Sequence, residues 1–192
     1  VIEIENDFFT SSVVDIEIDE KNNKFIVSNG GIYNKDKTIL YLYFKNEDII
    51  TLDEGITEIG SKAFNKTKVT TINLPLSVKR IDGYAFGSSI KNINLRENVQ
   101  EINSAAFFTC NANVQIDAKN QKYVIEDGML YNKEKTNLIA CTRNIESIKI
   151  PEGVVIIGSY AFSSREYMKN ITLPSTLNSI QDRAFSGCKG LT

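Results

Sequence analysis

Three acidic side chains, Asp15, Glu17 and Asp19, alternate along one short stretch. On a strand that spacing puts carboxylates on a single face, where their oxygens could hold a hard cation. The positions 98 residues further on are Asn113, Gln115 and Asp117, so most of the charge is not repeated and a solvated acidic edge is the preferred reading. The thiols are Cys110, Cys141 and Cys188, an odd number with no CxxC spacing, which argues against a disulfide framework. There is no histidine to activate a thiolate, a serine or a metal-bound water. Cys110 and Cys188 each lie three residues after a phenylalanine, in equivalent turn positions where a small buried hydrophobe fits. Acidic residues are plentiful, but no motif selects the two that a glycosidase needs. These residues predict neither an enzyme nor a cofactor, and no metal site.

The remaining candidates are for contact. Tyr41, Tyr43 and Phe44 cluster on one apolar run. Strand alternation would turn Leu40, Leu42 and Phe44 to one side and Tyr41 and Tyr43 to the other. Exposed tyrosines would suit protein or sugar contacts, but the preferred reading is that these aromatics cover the core. Net charge is −2, from 22 basic and 24 acidic residues, so neither nucleic acid nor an acidic membrane is implied as a partner. No run approaches ~18–20 apolar residues, so no segment is expected to insert into a membrane.

What positions these residues is a repeat. Ala-Phe pairs recur at 63–64, 85–86, 106–107, 161–162 and 184–185. Five residues before each Phe stands an isoleucine (Ile59, Ile81, Ile102, Ile157, Ile180), and three before that another aliphatic. After the Phe comes an apolar-x-apolar strand, as in Ile72-Asn73-Leu74 and Ile93-Asn94-Leu95. The Phe spacings are 22, 21 and 23 residues, within the ~20–29 of leucine-rich repeats. Each repeat has too few apolar groups to close a core alone, so stacking must align Phe on Phe and Ile on Ile. The expected architecture is strand-dominated α/β: a right-handed solenoid of short parallel strands stacked into a sheet.

A larger period overlies the small one. Val1, Glu3, Ile4 and Phe9 match Val99, Glu101, Ile102 and Phe107, and Tyr33-Asn34-Lys35 matches Tyr131-Asn132-Lys133. Roughly a third of positions in 1–64 are identical at this 98-residue offset, far above chance. The reading is one solenoid domain over 1–192, internally duplicated as 1–98 and 99–192, and a fragment of a longer array. Each copy carries a β-hairpin insertion. In the first, Lys24 to Val27 leads through Gly30-Gly31 to Ile32-Tyr33, turns at Asn34 to Lys37, and returns from Thr38 to Phe44. The second turns at Asn132 to Lys135. Both hairpins are expected on the lateral or convex side, in place of the ordinary Ala-Phe turn.

The outward positions of the stacked strands form the expected binding face: Thr51, Asn73, Asn94, Gln115, Lys149 and Thr172, flanked by Asn92, Arg96 and Asn113. This ladder is polar, weakly charged and free of aromatics, and a curved solenoid would present it on the concave side. The competing reading is a solvated sheet whose Asn and Thr side chains bond between rungs. Without aromatic anchors, weak multivalent contact suits the face better than one tight site.

The run Leu173-Pro-x-x-Leu-x-x-Ile-x-x-x-Ala-Phe-x-x-Cys188 resembles the BspA-like leucine-rich-repeat family of bacterial surfaces, and Gly128 to Leu138 resembles its hairpin insert. The proline after the strand is kept at Pro75, Pro151 and Pro174 and replaced by Asp53, Arg96 and Asp117 elsewhere. The resemblance implies secretion or surface display and adhesion to a host or bacterial surface protein or glycan. The alternative is a structural spacer that displays another domain. The family has no fixed functional motif, so no site residue transfers. A monomer is expected.

Overall fold

The computed structural model describes residues 16–191. In chain order the first copy forms β1 (Phe25–Ser28), β2 (Gly31–Asn34), β3 (Ile39–Tyr43), β4 (Ile49–Thr51), β5 (Glu58–Ile59), β6 (Thr71–Asn73), β7 (Arg80–Ile81) and β8 (Asn92–Leu95). The second forms β9 (Glu101–Ile102), β10 (Asn113–Ile116), β11 (Tyr123–Glu126), β12 (Met129–Asn132), β13 (Asn137–Cys141), β14 (Ser147–Lys149), β15 (Ile156–Ile157), β16 (Asn170–Thr172) and β17 (Ser179–Ile180). The one helical element among the described residues is a 3-10 turn over Ser104–Phe107.

Each rung of the solenoid is built from the same three parts. The apolar-x-apolar segment makes a strand whose first aliphatic points inward, so Ile50, Ile72, Ile93 and Val114 are buried. These strands stack in parallel as β10-β8-β6-β4. The isoleucine before the Ala-Phe pair makes a second, two-residue strand. Its stack β3-β5-β7-β9 is a separate parallel sheet with Ile59 and Ile81 buried and Glu58, Arg80 and Glu101 in register outside. The sequence reading anticipated one sheet, whereas each rung contributes to two, and the described residues form four sheets in all. Two residues suffice here because each strand is extended by neighbours that continue the inter-rung bonds, such as Gly60 N–H to Leu40 O at 2.8 Å. The third part is the Ala-Phe turn, whose rings stack between rungs: Phe64 on Phe86 at 6.2 Å and Phe86 on Phe107 at 5.3 Å.

The insertions join this frame through their last strand. β1, β2 and β3 form an antiparallel meander, and β3 then pairs in parallel with β5, Leu40 opposite Ile59. β11, β12 and β13 repeat this at the 98-residue offset, with Leu138 opposite Ile157. The first turn of each meander is Asn29-Gly30 (φ 45 and 79) or Asp127-Gly128 (φ 50 and 77). Paired positive φ values at Asn-Gly or Asp-Gly define the two-residue hairpin turn whose twist matches its strands. The second turn is held by Asn34, whose Oδ1 accepts from Thr38 N–H and Ile39 N–H, each at 2.8 Å. The return strand does replace the Ala-Phe turn. Tyr43 N–H donates to Ala63 O at 2.8 Å, and the Tyr43 ring lies 5.7 Å from Phe64.

In the second copy Cys141 occupies the position of Tyr43, its N–H bonded to Ala161 O. The aromatic column therefore lapses between Phe107 and Phe162, and resumes with Phe162 on Phe185 at 5.1 Å. The buried core divides at the same level into a larger cluster that ends with Val114, Leu130 and Ala140 and a smaller one around Leu138, Ile157 and Phe162. Arg165 fills the gap. It is 3% exposed. Its Nε donates to Cys141 O at 2.8 Å, and its Nη2 donates to Phe107 O at 3.1 Å and Cys110 O at 2.9 Å.

Candidate binding face

Among the expected face residues, Thr51, Asn73, Asn94 and Gln115 do align across β4, β6, β8 and β10. Asn92 and Asn113 pair beside them in a second outward row that begins with the exposed Ile49 and continues through Thr71. Arg96 continues the outward line of β8 beyond Leu95. Lys149 and Thr172 face each other across β14 and β16, but that pair is a separate two-stranded sheet. The single ladder read from the sequence is thus two. The break falls where β10 gives way to the second insertion, whose connection is tied by Ala112 N–H to Thr142 O and by Asn144 N–H to Asn111 Oδ1, each at 2.8 Å.

Rung-to-rung bonding engages part of the ladder. Asn73 Nδ2 donates to Thr51 Oγ1 and Asn92 Nδ2 to Thr71 Oγ1, both at 3.3 Å, and Asn170 Nδ2 to Ser147 Oγ at 3.4 Å. The amides of Asn94, Asn113 and Gln115 have no partner among the described residues. They line a shallow depression of about 220 Å³ with Thr71, Asn73 and Asn92. The Nε of Arg96, one residue beyond β8, is buried without an acceptor among the described residues and does not line that depression.

The tyrosine patch is corrected by the structure. Tyr41 is half-buried and packs edge-on against Phe25 at 5.5 Å, whereas Tyr43 is 3% exposed inside the aromatic column. A register shift between Ile32 and Tyr33 breaks the strict alternation that would have put both rings on one side. Burial, and a hydrogen bond to Glu47 at 3.0 Å, push the Tyr43 hydroxyl far above its ordinary pKa. No shared outward tyrosine surface forms.

The acidic stretch has a local role where it is described. Asp15 lies outside the described residues, and Glu17 is exposed outside any strand. Asp19 Oδ1 accepts from Lys21 N–H at 2.8 Å, and Asp117 Oδ1 accepts from Lys119 N–H at 2.9 Å, the same turn in both copies. No group of side chains among the described residues is placed to hold a metal ion. The cysteines are unpaired, and Cys110 and Cys141 are fully buried. Burial pushes the Cys110 thiol up to about 12 and raises Cys141 and Cys188 as well, the reverse of nucleophile activation.

Two features were missed in the sequence. Arg165 is one. The other is an aromatic cluster on the turn face: Tyr84 lies 5.4 Å from Phe108 and 6.1 Å from Tyr160, and Phe108 lies 5.7 Å from Tyr160. Arg183 Nη1 donates to the Tyr160 hydroxyl at 3.1 Å. Tyr84 and Phe108 come from adjacent repeats, and both meet Tyr160 across the hairpin rung, which lacks an Ala-Phe turn of its own. Their nearest sequence signal is that Tyr84, Tyr160 and Arg183 all stand two residues before the repeat Phe, at positive φ.

Stacked strands on two sides and an aromatic turn column define a leucine-rich-repeat solenoid. The BspA type leucine rich repeat region matches in six copies over residues 32–137 and 135–192, and the chain belongs to that family. Among solved structures it is similar to a leucine rich cell surface protein of Faecalibacterium prausnitzii A2-165, with a TM-score of 0.61 and 28% identity over 76% of this chain. It shares the fold of a leucine-rich repeat protein of Eubacterium ventriosum ATCC 27560, with a TM-score of 0.51 and 21% identity over 85% of this chain. The alignments span 40% and 63% of those two chains. No curated protein matches it.

Proposed function

We propose that this chain is a binding repeat domain displayed on a bacterial surface or secreted, and that its strand face recognises a protein or glycan partner. The observation that carries this reading is the group of unpartnered amides at Asn94, Asn113 and Gln115, side by side on adjacent rungs. If amides served only to stitch rungs together, these would be bonded as Asn73 and Asn92 are. Surface display draws support from the similarity to the F. prausnitzii cell surface protein. The engaged amides favour a second reading, a spacer whose ladder serves rigidity alone.

A pull-down against host matrix proteins and bacterial surface extracts separates the two. The adhesion reading expects capture of a partner, lost in the Asn73→Asp/Asn94→Asp double variant while circular dichroism remains unchanged. Undiminished capture by that variant would remove the strand face from the account. No capture by the wild type would leave the spacer.

A further inference from the structure

Resting on the strand-face reading above, we infer that the face takes a neutral, hydroxyl-rich glycan laid across β8 and β10. Each free amide at Asn94, Asn113 and Gln115 presents N–H donors and a carbonyl acceptor in one plane. Neighbouring rungs repeat that offer at ~4.8 Å, the spacing of strands in a sheet. A sugar hydroxyl both donates and accepts, so a glycan chain can satisfy such an array without bringing charge. The Thr71 hydroxyl at the margin of the depression extends the same chemistry.

Other ligand classes fit less well. A protein partner is held by buried aromatic and arginine anchors, and the outward positions of β6, β8 and β10 include no aromatic. An extended peptide adds to the edge of a sheet, whereas these amides stand on its face. An acidic ligand would meet Arg96, but Asp117 follows on the next rung, Glu97 adjoins it in sequence, and the Arg96 charge already acts on Glu54. The Glu54 carboxylate thus already offsets the Arg96 charge in part. Without a stacking platform, each sugar would be held weakly, so a polymer lying along several rungs is the form that binds measurably.

Native affinity electrophoresis of the 192-residue chain tests this, using gels containing a soluble mannan, β-glucan or galactan, with polygalacturonate as the carboxylated comparison. The expected result is retardation in at least one neutral gel. The exposed double variant Asn94→Ala/Gln115→Ala should then bind at least about tenfold more weakly, from the hydrogen bonds lost. Tyr167→Ala, at an exposed aromatic away from the face, should bind as the wild type does. No retardation in any neutral gel, retardation by polygalacturonate alone, or unchanged binding in the double variant would each overturn the inference. Protein capture that depends on Asn73 and Asn94, with no neutral glycan retained, would sink the glycan and leave the proposed function intact.

Discussion

The guanidinium of Arg165 is buried among backbone carbonyls and forms no ion pair among the described residues. It stands three residues after Phe162, where the other repeats carry Thr67, Ser89, Cys110 and Cys188. Thr67 Oγ1 serves its own turn by donating to Phe64 O, and Cys188 Sγ reaches one rung back to Phe162 O. Arg165 instead reaches two rungs back, because Cys141 leaves room where an aromatic ring would stand. Arg165→Met should cost about 3 kcal/mol, since it leaves buried acceptors without donors. The urea midpoint measures this, and a loss below about 1 kcal/mol would show that water or relaxation replaces the donors. The thiols give a second expectation at this scale. With their pKa values raised by burial, Cys110 and Cys141 should stay unreactive toward Ellman's reagent at pH 8 until the chain is unfolded. Rapid native labelling of either would contradict their placement. A third concerns acid. The Glu54 carboxylate accepts from Leu76 N–H at 3.0 Å and Ser77 N–H at 3.1 Å, and Glu152 accepts from Ser175 N–H at 3.0 Å. These bonds hold both carboxyls below their ordinary pKa of 4.5. A depressed folded pKa gives stability that is present above the unfolded pKa and lost as pH falls through the folded one. The Glu54→Gln/Glu152→Gln variant should therefore show a flatter decline in melting temperature from pH 4.5 downward, and an unchanged decline would exclude the contribution.

At the scale of elements, the second meander carries a device that the first lacks. The Tyr123 hydroxyl donates to Gln100 O and accepts from Ile102 N–H, both at 3.0 Å. It thereby satisfies the free edge of β9, where the lateral sheet stops before β11 opens the next one. The matching residue in the first copy is Phe25, whose ring has no hydroxyl and packs against Tyr41 instead. Tyr123→Phe should cost about 1 kcal/mol and speed hydrogen exchange at the Ile102 amide. Exchange as slow as in the wild type would mean that the edge is protected by something else. The meanders also mark the limit of alternation as a guide. Their position in the rung was legible, because the 98-residue offset aligned both return strands and the Phe spacing showed which turn they replace. The inward face of Tyr43 was not, because a bulge opposite Ile32 and Tyr33 resets the side-chain parity and nothing in the residue types announces it. The lateral strands were hidden for another reason: an isolated Glu-Ile or Arg-Ile pair is too short to show a period of two.

Across the whole molecule, the repeat period in sequence is the stacking period in space. That is why the solenoid, the paired columns and most of the ladder could be read before the coordinates. Features joining non-adjacent rungs could not. Arg165, the Tyr84-Phe108-Tyr160 cluster and the interruption of the ladder after Gln115 all arise where an insertion rung breaks the regular stack. These places also make the faces chemically unlike. The strand face is amide-rich and lacks aromatics over its middle rungs, while the turn face carries the aromatic cluster and Arg183. Partner recognition is proposed for the first. Amide hydrogen exchange with and without bound partner tests that placement most directly. Added protection is expected to centre on residues 71–73, 92–94 and 113–115, with the turns around Tyr84 and Tyr160 unchanged. Protection confined to those turns would contradict it.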